Sequence, residues 1–284
     1  MEIKSLTNIE YTTIFEAFNV AFADYEMQLD AEQLHKMLIR RGFDPDLSFA
    51  AFEGNRIVAF TFNGVGMFNG IQTAYDTGTG TIKEYRGKGL ATQIFNYSIP
   101  FLKERGIRQY LLEVLQHNTG AVSVYKKLGF EVSREFNYYR QKNTRINIQA
   151  GNADTPYSIK NIEVDNFPIL SDFWDFYPSW QNSFDSIGRS RKDFVCLGAF
   201  DEDNIIGYAV FEPSSGDITQ IAVDKLYRKK GVASSLLKEM LKMNECDSVK
   251  VINTDVQCAS ITGFLASKNI IPTGMQYEMI KIIS

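Results

Sequence analysis

A six-residue pattern occurs twice in this chain of 284 residues. Arg86–Ala91 and Arg228–Ala233 both fit Arg-x-x-Gly-x-Ala, and they lie 142 residues apart, which is half the length of the chain. Upstream, Ala51–Phe60 is echoed by Ala199–Tyr208, and each stretch reads as a strand, a polar turn and a strand. Self-similarity over half the length indicates that one supersecondary plan is used twice.

Each half also shows the same order of local signals. A helical opening precedes the hairpin, and a further strand, the Arg-x-x-Gly-x-Ala turn, a helix, a strand, a shorter helix and closing strands follow it. This alternation predicts an α/β fold with a mixed (α+β) sheet. Turn-forming residues gather between Asn143 and Pro156. The sequence therefore predicts two tandem domains, 1–145 and 156–284, each large enough to bury a core.

Three patterns give local detail. In the opening helix the aromatic residues Tyr11, Phe15, Phe18, Phe22 and Tyr25 are spaced to lie on one face. The helix after the first turn contains Pro100, which should kink or locally disrupt it. The uncharged stretch Ile57–Tyr75 alternates aromatic and small residues, so it predicts strands and not a membrane span.

Composition excludes several classes of protein. The chain is 44% hydrophobic and carries a formal net charge of −4, which is typical of a soluble globular protein without the basic field of a nucleic-acid-binding protein. Three cysteines without a Cys-x-x-Cys pair, and two histidines, predict neither a metal centre nor a disulfide framework. The N-terminal residues lack the pattern of a signal peptide, so we expect a cytoplasmic protein without a membrane partner.

The repeated turn has a specific chemical capacity. A strand that runs through Arg-x-x-Gly-x-Ala into a helix points backbone N–H groups and the positive end of the helix dipole at one spot, which suits a pyrophosphate. Neither copy contains the Gly-x4-Gly-Lys-Ser/Thr pattern of a P-loop. The run Thr77–Thr81 lacks the third glycine of a dinucleotide fingerprint. A purely structural tight turn is the competing interpretation, and two copies in matching context weaken it.

With these residues in view, the N-terminal half resembles the GNAT superfamily of acetyl-CoA-dependent N-acyltransferases. The resemblance rests on the turn Arg86–Ala91 and on Leu112–Val114 followed by Asn118-x-x-Ala121-x-x-x-Tyr125-x-x-Leu128-Gly129-Phe130. It extends over both halves but is stronger in the first, and it implies two tandem GNAT-like domains of which the first is catalytic.

The resemblance implies a set of cofactor contacts. The coenzyme A pyrophosphate is expected at Arg86, Gly87, Lys88, Gly89, Leu90 and Ala91, and the pantetheine arm at Thr79, Thr81 and Asn118. In the second half the corresponding cofactor-binding residues are Arg228, Gly231 and Ala233. No metal is implied.

The resemblance also implies catalytic roles, and the chemistry supports them. An amine that attacks a thioester must lose a proton, the oxyanion needs a fixed donor, and the departing thiolate needs a proton. Tyr125 is the expected general acid, Glu113 the expected base, and the backbone N–H near Thr81 the oxyanion donor. Asp76 is a second candidate base, whereas His117 fits an exposed or structural position better. A packing role for Tyr125 and a surface ion pair for Glu113 remain the alternatives.

The second half keeps the turn but loses the chemistry. Phe264 or Leu265 falls where Tyr125 stands, and neither can protonate a thiolate. Asn253 is a weak candidate for the cofactor-arm asparagine, and Tyr208 and Tyr277 are tyrosines that could be recruited instead. We therefore expect a degenerate second domain, which binds coenzyme A without catalysis, completes an acceptor pocket or only stabilises the first domain.

The expected activity is transfer of an acetyl group from acetyl-CoA to a primary amine by direct attack in a ternary complex. The acceptor is a small molecule or a peptide. An acidic rim at Asp24, Glu26, Asp30 and Glu32 would favour a cationic amine, although a solvated helix start explains these residues better. The alternatives are a coenzyme A-binding sensor or scaffold with little turnover, and an enzyme that uses a different acyl donor. The oligomeric state is open.

Overall fold

The computed structural model describes residues 1–25, 28–148, 157–163, 165 and 168–283, and they form two compact units. Unit 1 contains the described residues of 1–134, 184–189 and those from 277 onward; unit 2 contains those of 135–183 and 190–276. Each unit is therefore made of more than one stretch of the chain. The sequence predicts two continuous domains, 1–145 and 156–284. The predicted boundary residues 149–156 lie outside the described residues.

The helices and strands follow the predicted order in each half. The strands are β1 (Glu2–Ser5), β2 (Phe49–Glu53), β3 (Arg56–Phe68), β4 (Ile71–Thr81), β5 (Gln109–Leu115), β6 (Glu131–Lys142), β7 (Ser158–Asn161), β8 (Val195–Asp201), β9 (Asn204–Glu212), β10 (Asp217–Val223), β11 (Ser248–Asp255) and β12 (Pro272–Ile282). The α-helices are α1 (Tyr11–Ala21), α2 (Ala31–Arg41), α3 (Leu90–Glu104), α4 (Thr119–Lys127), α5 (Phe184–Arg189), α6 (Val232–Met243) and α7 (Ala259–Ser267). The predicted mixed α/β fold is confirmed.

Unit 1 is a mixed sheet with the strand order β1-β2-β3-β4-β5-β12. Strands β1 to β4 are antiparallel neighbours, and β4 and β5 are parallel. The stretch Ile57–Tyr75 lies in β3 and β4, so the strand prediction is confirmed. The core on one side includes Ile14 and Phe60, and the core around α3 includes Met279 and Ile283 from the C-terminal segment.

Two helix predictions change in the structure. Helix α1 ends at Ala21, so Phe22 is its C-cap and Tyr25 lies beyond it. The Arg86 guanidinium donates to the Ala21 carbonyl at 2.8 Å, which satisfies one of the carbonyls exposed at that helix end. Helix α3 runs without a break from Leu90 to Glu104 through Pro100. The helix is therefore not interrupted at Pro100, and the predicted local disruption is wrong.

Unit 2 repeats this plan with the strand order β6-β11-β10-β9-β8-β7. Strands β7 to β10 are antiparallel neighbours, β10 and β11 are parallel, and β6 is antiparallel to β11. Its core packs α6 residues such as Leu236 and Met240 against the sheet. The strand that follows β5 in the order of unit 1 is β12, from the second half of the sequence, and the strand before β11 in unit 2 is β6, from the first half. The duplication is therefore not cleanly divided along the chain.

Candidate functional sites

The site in unit 1 lies where two parallel strands stop pairing. Strand β4 is paired with β5 from Thr73–Tyr75 to Gln109–Leu111, while β4 continues to Thr81 and β5 to Leu115. Beyond the last pair both strands present backbone groups to the space between them. A ligand chain that enters such a space can hydrogen-bond to a strand edge.

The Arg-x-x-Gly-x-Ala turn follows directly after β4. Gly87 and Gly89 have φ angles of 76° and 73°, and a side chain on either would be strained there. Helix α3 begins at Leu90, so its first N–H groups, including that of Ala91, open toward the turn. This geometry fits the phosphate-binding role that was predicted for the turn.

The basic side chains of the turn are held by the protein itself. The Arg86 guanidinium donates to the Thr81 carbonyl at 3.1 Å and pairs with Asp24 at 3.2 Å. The Lys88 ammonium lies 4.4 Å from the centre of the Tyr85 ring. These side-chain contacts therefore hold the turn in place. The backbone N–H groups of the turn are the groups that can bind a phosphate.

Tyr125 and Asp76 are joined by a hydrogen bond across the gap. The Tyr125 hydroxyl donates to Asp76 Oδ2 at 2.9 Å. The same carboxylate accepts from the Thr79 hydroxyl at 2.8 Å and from the Gly78 backbone N–H at 2.9 Å. Asp76 precedes a bulge at Thr77, where β4 has one residue more than β3. The bulge places the Asp76 carboxylate beside the tyrosine.

The environment changes the proton affinity of both groups. Burial raises the pKa of Asp76, against the opposing hydrogen bonds from Thr79, Tyr125 and Gly78. Burial and the Asp76 carboxylate together raise the pKa of Tyr125 well above its ordinary value. Tyr125 is therefore protonated at neutral pH, as a proton donor must be.

Glu113 stands on β5 and accepts a short hydrogen bond from the Tyr75 hydroxyl. Burial raises the pKa of Glu113 to about 7, and the Glu278 charge adds to this, while the Tyr75 hydrogen bond and the Arg41 and Arg134 guanidiniums oppose it. A carboxyl with a pKa near 7 can accept and release a proton at neutral pH.

The chain's C-terminal segment contributes to the surroundings of Glu113. The buried Glu278 carboxylate accepts from Arg134 at 2.6 and 2.8 Å and from the Ser133 hydroxyl at 2.7 Å. The Lys281 ammonium donates to the Leu128 carbonyl at 2.6 Å, at the end of α4. Tyr277 belongs to unit 1, where it lines a surface cleft with Thr119 and Val122. It is therefore not available inside unit 2.

Other predicted residues have clear positions. The Asn118 side chain caps α4 by accepting from the Ala121 N–H at 3.2 Å, which leaves its amide as the group that could donate to a cofactor arm. His117 is exposed in the loop before α4, as expected. The predicted acidic rim divides: Asp24 pairs with Arg86, Asp30 caps α2, and Glu32 pairs with Lys36 at 2.8 Å. Glu26 lies outside the described residues.

Unit 2 reproduces the turn in backbone and in side chains. The Arg228 guanidinium donates to the Val223 carbonyl at 3.1 Å, pairs with Asp175 at 2.9 Å and donates to the Phe173 carbonyl at 3.3 Å. Gly231 precedes α6 with a φ of 92°, and Ala233 lies in the first turn of that helix. Lys229, in the place of Gly87, has a φ of 62° without being glycine. The backbone form of the turn is thus kept at a conformational cost.

The catalytic positions of unit 2 carry different residues. A bulge at Thr219 matches the bulge at Thr77, which places Ile218 where unit 1 has Asp76. In α7 the Ile270 N–H bonds the Leu265 carbonyl at 2.9 Å, as the Phe130 N–H bonds the Tyr125 carbonyl in α4. These bonds settle the one-residue uncertainty of the sequence: Leu265 replaces Tyr125.

The helix caps align the remaining positions. Cys258 occupies the N-cap position of α7, as Asn118 does in α4, but its side chain makes no capping hydrogen bond. Asn253 lies in β11, five residues before this position, and its role toward a cofactor arm stays a prediction. Tyr208 is buried, accepts from the Trp174 indole at 2.6 Å and hydrogen-bonds to Gln220. Its hydroxyl is thus engaged within the unit.

Sequence reasoning missed three residues of the unit 1 site. Tyr75 reads as one aromatic residue of an alternating strand, Arg41 as the end of an amphipathic helix, and Glu278 as part of a distant closing strand. The Arg41 guanidinium donates to the Thr77 carbonyl at 2.9 Å. Glu278 lies in the second half of the sequence. Its place near Glu113 could have been found only by recognising that the closing segment of the chain belongs to unit 1.

The described residues contain no helix long and apolar enough to cross a membrane. They also contain no group of His, Cys, Asp and Glu that could hold a metal ion. Cys196, Cys246 and Cys258 are free thiols.

A sequence profile of the Acetyltransferase (GNAT) family matches residues 10–130 and 157–259. The chain therefore belongs to this family, with one match in each half.

Individual relatives support the same assignment. The chain is 32% identical over 97 residues to N-alpha-acetyltransferase 30 of Schizosaccharomyces pombe, which covers 34% of this chain and 65% of that protein. It is 31% identical over 121 residues to the mycothiol acetyltransferase of Thermobifida fusca, covering 39% of this chain and 38% of that protein. The chain thus spans less than two thirds of the length of these curated relatives.

Solved structures share the tandem fold. A tandem GNAT protein from the clavulanic acid biosynthesis pathway matches 100% of this chain and 98% of its own, with a TM-score of 0.73 and 14% identity. A GCN5-related N-acetyltransferase from Sphaerobacter thermophilus matches 99% of this chain and 95% of its own, with a TM-score of 0.73 and 13% identity. At these identities the likeness concerns the fold.

Proposed function

We propose that unit 1 transfers an acetyl group from acetyl-CoA to a primary amine by direct attack in a ternary complex. The observation that carries the proposal is that Glu113 and Tyr125 bind neighbouring residues of β4, Tyr75 and Asp76, on the strand that leads into the glycine turn. Acetyl-CoA supplies the activated acetyl group. Gly87, Gly89 and the first N–H groups of α3 hold its pyrophosphate, and Thr79, Thr81 and Asn118 flank its arm.

Each catalytic group has a defined proton to move. Glu113 removes a proton from the attacking amine, directly or through a water, because a carboxyl with a pKa of about 7 is largely ionised just above neutral pH. The backbone N–H near Thr81 stabilises the developing oxyanion. Tyr125 donates its proton to the sulfur of the departing coenzyme A. Asp76 holds the Tyr125 hydroxyl in place through the bond described above.

Peptide α-amines are the first acceptors to test, because two curated relatives are named N-alpha-acetyltransferases. Small amines form the second class.

Three free thiols support a cytoplasmic location, where disulfides are rare. A coenzyme A-binding sensor and a different acyl donor are the competing functions, and the intact Glu113 and Tyr125 favour turnover.

The test is thiol release from acetyl-CoA in the presence of peptide and small-molecule amines, paired with calorimetry of acetyl-CoA binding. We expect turnover with at least one amine, and at pH 7.5 a kcat lowered about 100-fold in Glu113→Gln with acetyl-CoA binding retained. Gly89→Glu, which places a carboxylate in the turn, should lose the calorimetric signal of unit 1. Acetyl-CoA binding without turnover for any amine would favour the sensor instead.

A further inference from the structure

Unit 2 contains a cavity of about 570 Å³, within the size range of small-molecule sites. It lies between β10 and β11, which pair only at Asp217 and Lys250 and then separate. Its walls come from the turn and the start of α6, from one face of α7, and from the segment 173–178. The turn and the segment 173–178 therefore border the same cavity.

The lining of this cavity is mostly apolar. Ile218 and Ile221 stand where β4 has Asp76 and Thr79. Phe173, Trp174 and Phe176 add aromatic surface from the segment 173–178. The replacements remove the groups that move protons in unit 1 and put hydrocarbon in their place. An apolar lining favours an apolar ligand group, because burial removes both surfaces from water.

One wall retains a different chemistry. Lys229 and Lys230 are exposed on the turn, and the Lys230 ammonium lies 4.7 Å from the Tyr227 ring, as Lys88 lies over Tyr85. Arg228 is neutralised by Asp175, so Lys229 supplies the net positive charge of this wall, with Lys230 next to it in the turn. A ligand that matches both walls carries phosphate at one end and an apolar group at the other.

We propose that unit 2 is a non-catalytic binding site for a coenzyme A thioester whose acyl group is a longer apolar chain than acetyl. The turn and its lysines hold the pyrophosphate. The acyl chain lies in the apolar part of the cavity, where unit 1 has its acid and base. The site thus distinguishes acyl-CoA species, and it does so independently of the acetyl transfer proposed for unit 1.

The position of tryptophan makes this inference testable within the intact chain. The sequence has two tryptophans, Trp174 and Trp180, and both belong to unit 2. Trp174 lines the cavity. A change in intrinsic tryptophan fluorescence therefore reports binding in unit 2 and is insensitive to a ligand confined to unit 1.

The experiment titrates the full chain with coenzyme A, acetyl-CoA, octanoyl-CoA and octanoate, and follows tryptophan fluorescence. Each buried methylene can strengthen binding up to about fourfold. We expect octanoyl-CoA to bind at least about tenfold more tightly than acetyl-CoA, and octanoate alone to bind far more weakly than octanoyl-CoA. Calorimetry on Gly89→Glu, which disables the unit 1 turn, should still show one octanoyl-CoA per chain.

Substitutions at Phe176 and at Lys229 test the apolar wall and the charged wall of the cavity separately. Phe176→Asp introduces a charge into the apolar wall and should remove the preference for octanoyl-CoA over acetyl-CoA, while Phe176→Leu should keep it. Lys229→Glu should weaken both thioesters by a similar factor. Equal affinities for coenzyme A, acetyl-CoA and octanoyl-CoA would overturn the acyl-chain preference. An absent calorimetric signal in Gly89→Glu would overturn the site, whatever the activity of unit 1.

Discussion

The two units keep one backbone frame and differ in a few side chains. Both end a parallel strand in the same turn, both tie that turn to the preceding segment with an arginine, and both have a one-residue bulge in the strand before it. Asp76 and Tyr125 are nevertheless replaced by Ile218 and Leu265. The comparison teaches that the backbone frame does not depend on the two groups for which we propose proton transfer, since unit 2 keeps the frame and has neither of them.

The largest test of this difference removes the acid from unit 1. Tyr125→Phe should lower kcat about 100-fold or more, because the departing thiolate loses its proton donor while the ring packing against Phe130 is kept. Initial rates at saturating acetyl-CoA measure the effect, and the KM for acetyl-CoA should change little. The matched control is Tyr208→Phe in unit 2, which should leave kcat unaltered. An unchanged kcat in Tyr125→Phe would remove the general-acid role.

The next test concerns pH. Glu113 must be ionised to act as base, so its protonation alone should lower kcat/KM about tenfold for each pH unit below its pKa of about 7. A peptide α-amine, with a pKa near 8, adds a second protonation over this range. The slope of log(kcat/KM) against pH should therefore approach about two for the wild type and about one for Glu113→Gln. Equal slopes would mean that Glu113 is not the titrating base.

A smaller effect is expected from the partner of Tyr125. Asp76→Asn should lower kcat about tenfold, because the hydroxyl loses its charged acceptor. The Asp76 charge raises the pKa of Tyr125, whereas the Thr79 hydrogen bond lowers it. At high pH kcat should fall because Tyr125 is deprotonated. The pH of this fall should therefore be lower in Asp76→Asn and higher in Thr79→Val. Shifts in the same direction would contradict this assignment.

The smallest effect lies in the turn of unit 2. Lys229→Gly should stabilise unit 2 by about 1 kcal/mol, because glycine adopts a positive φ without the cost that lysine incurs. Urea unfolding followed by tryptophan fluorescence reports this unit. Lys230→Gly, at a position without a positive φ, should give no such gain. A gain of equal size in both variants would point to charge rather than backbone conformation.

Local patterns predicted the repeat, the strands and the turn because each depends on residues close in sequence. The hydrogen bond between Tyr125 and Asp76 joins residues 49 positions apart, and the bulge at Thr77 that permits it has no sequence signature of its own. Glu278 lies still further from Arg134 along the chain. Helix α1 ends earlier than its aromatic spacing predicted, and the Ala21 carbonyl at its end accepts a hydrogen bond from Arg86, 65 residues further along the chain. The candidate site was thus predictable as a set of residue types, whereas its pairings depended on long-range packing.

The residues from Tyr277 to Ile283 give unit 1 a property that concerns its synthesis. They supply Met279 and Ile283 to its core and Glu278 to the ion pair with Arg134, yet they follow the whole of unit 2 in the chain. A ribosome that has completed the first 145 residues has therefore not yet made all of unit 1. Native packing of unit 1 must wait until unit 2 has been translated, so a nascent chain that stops between the halves lacks part of the core of unit 1.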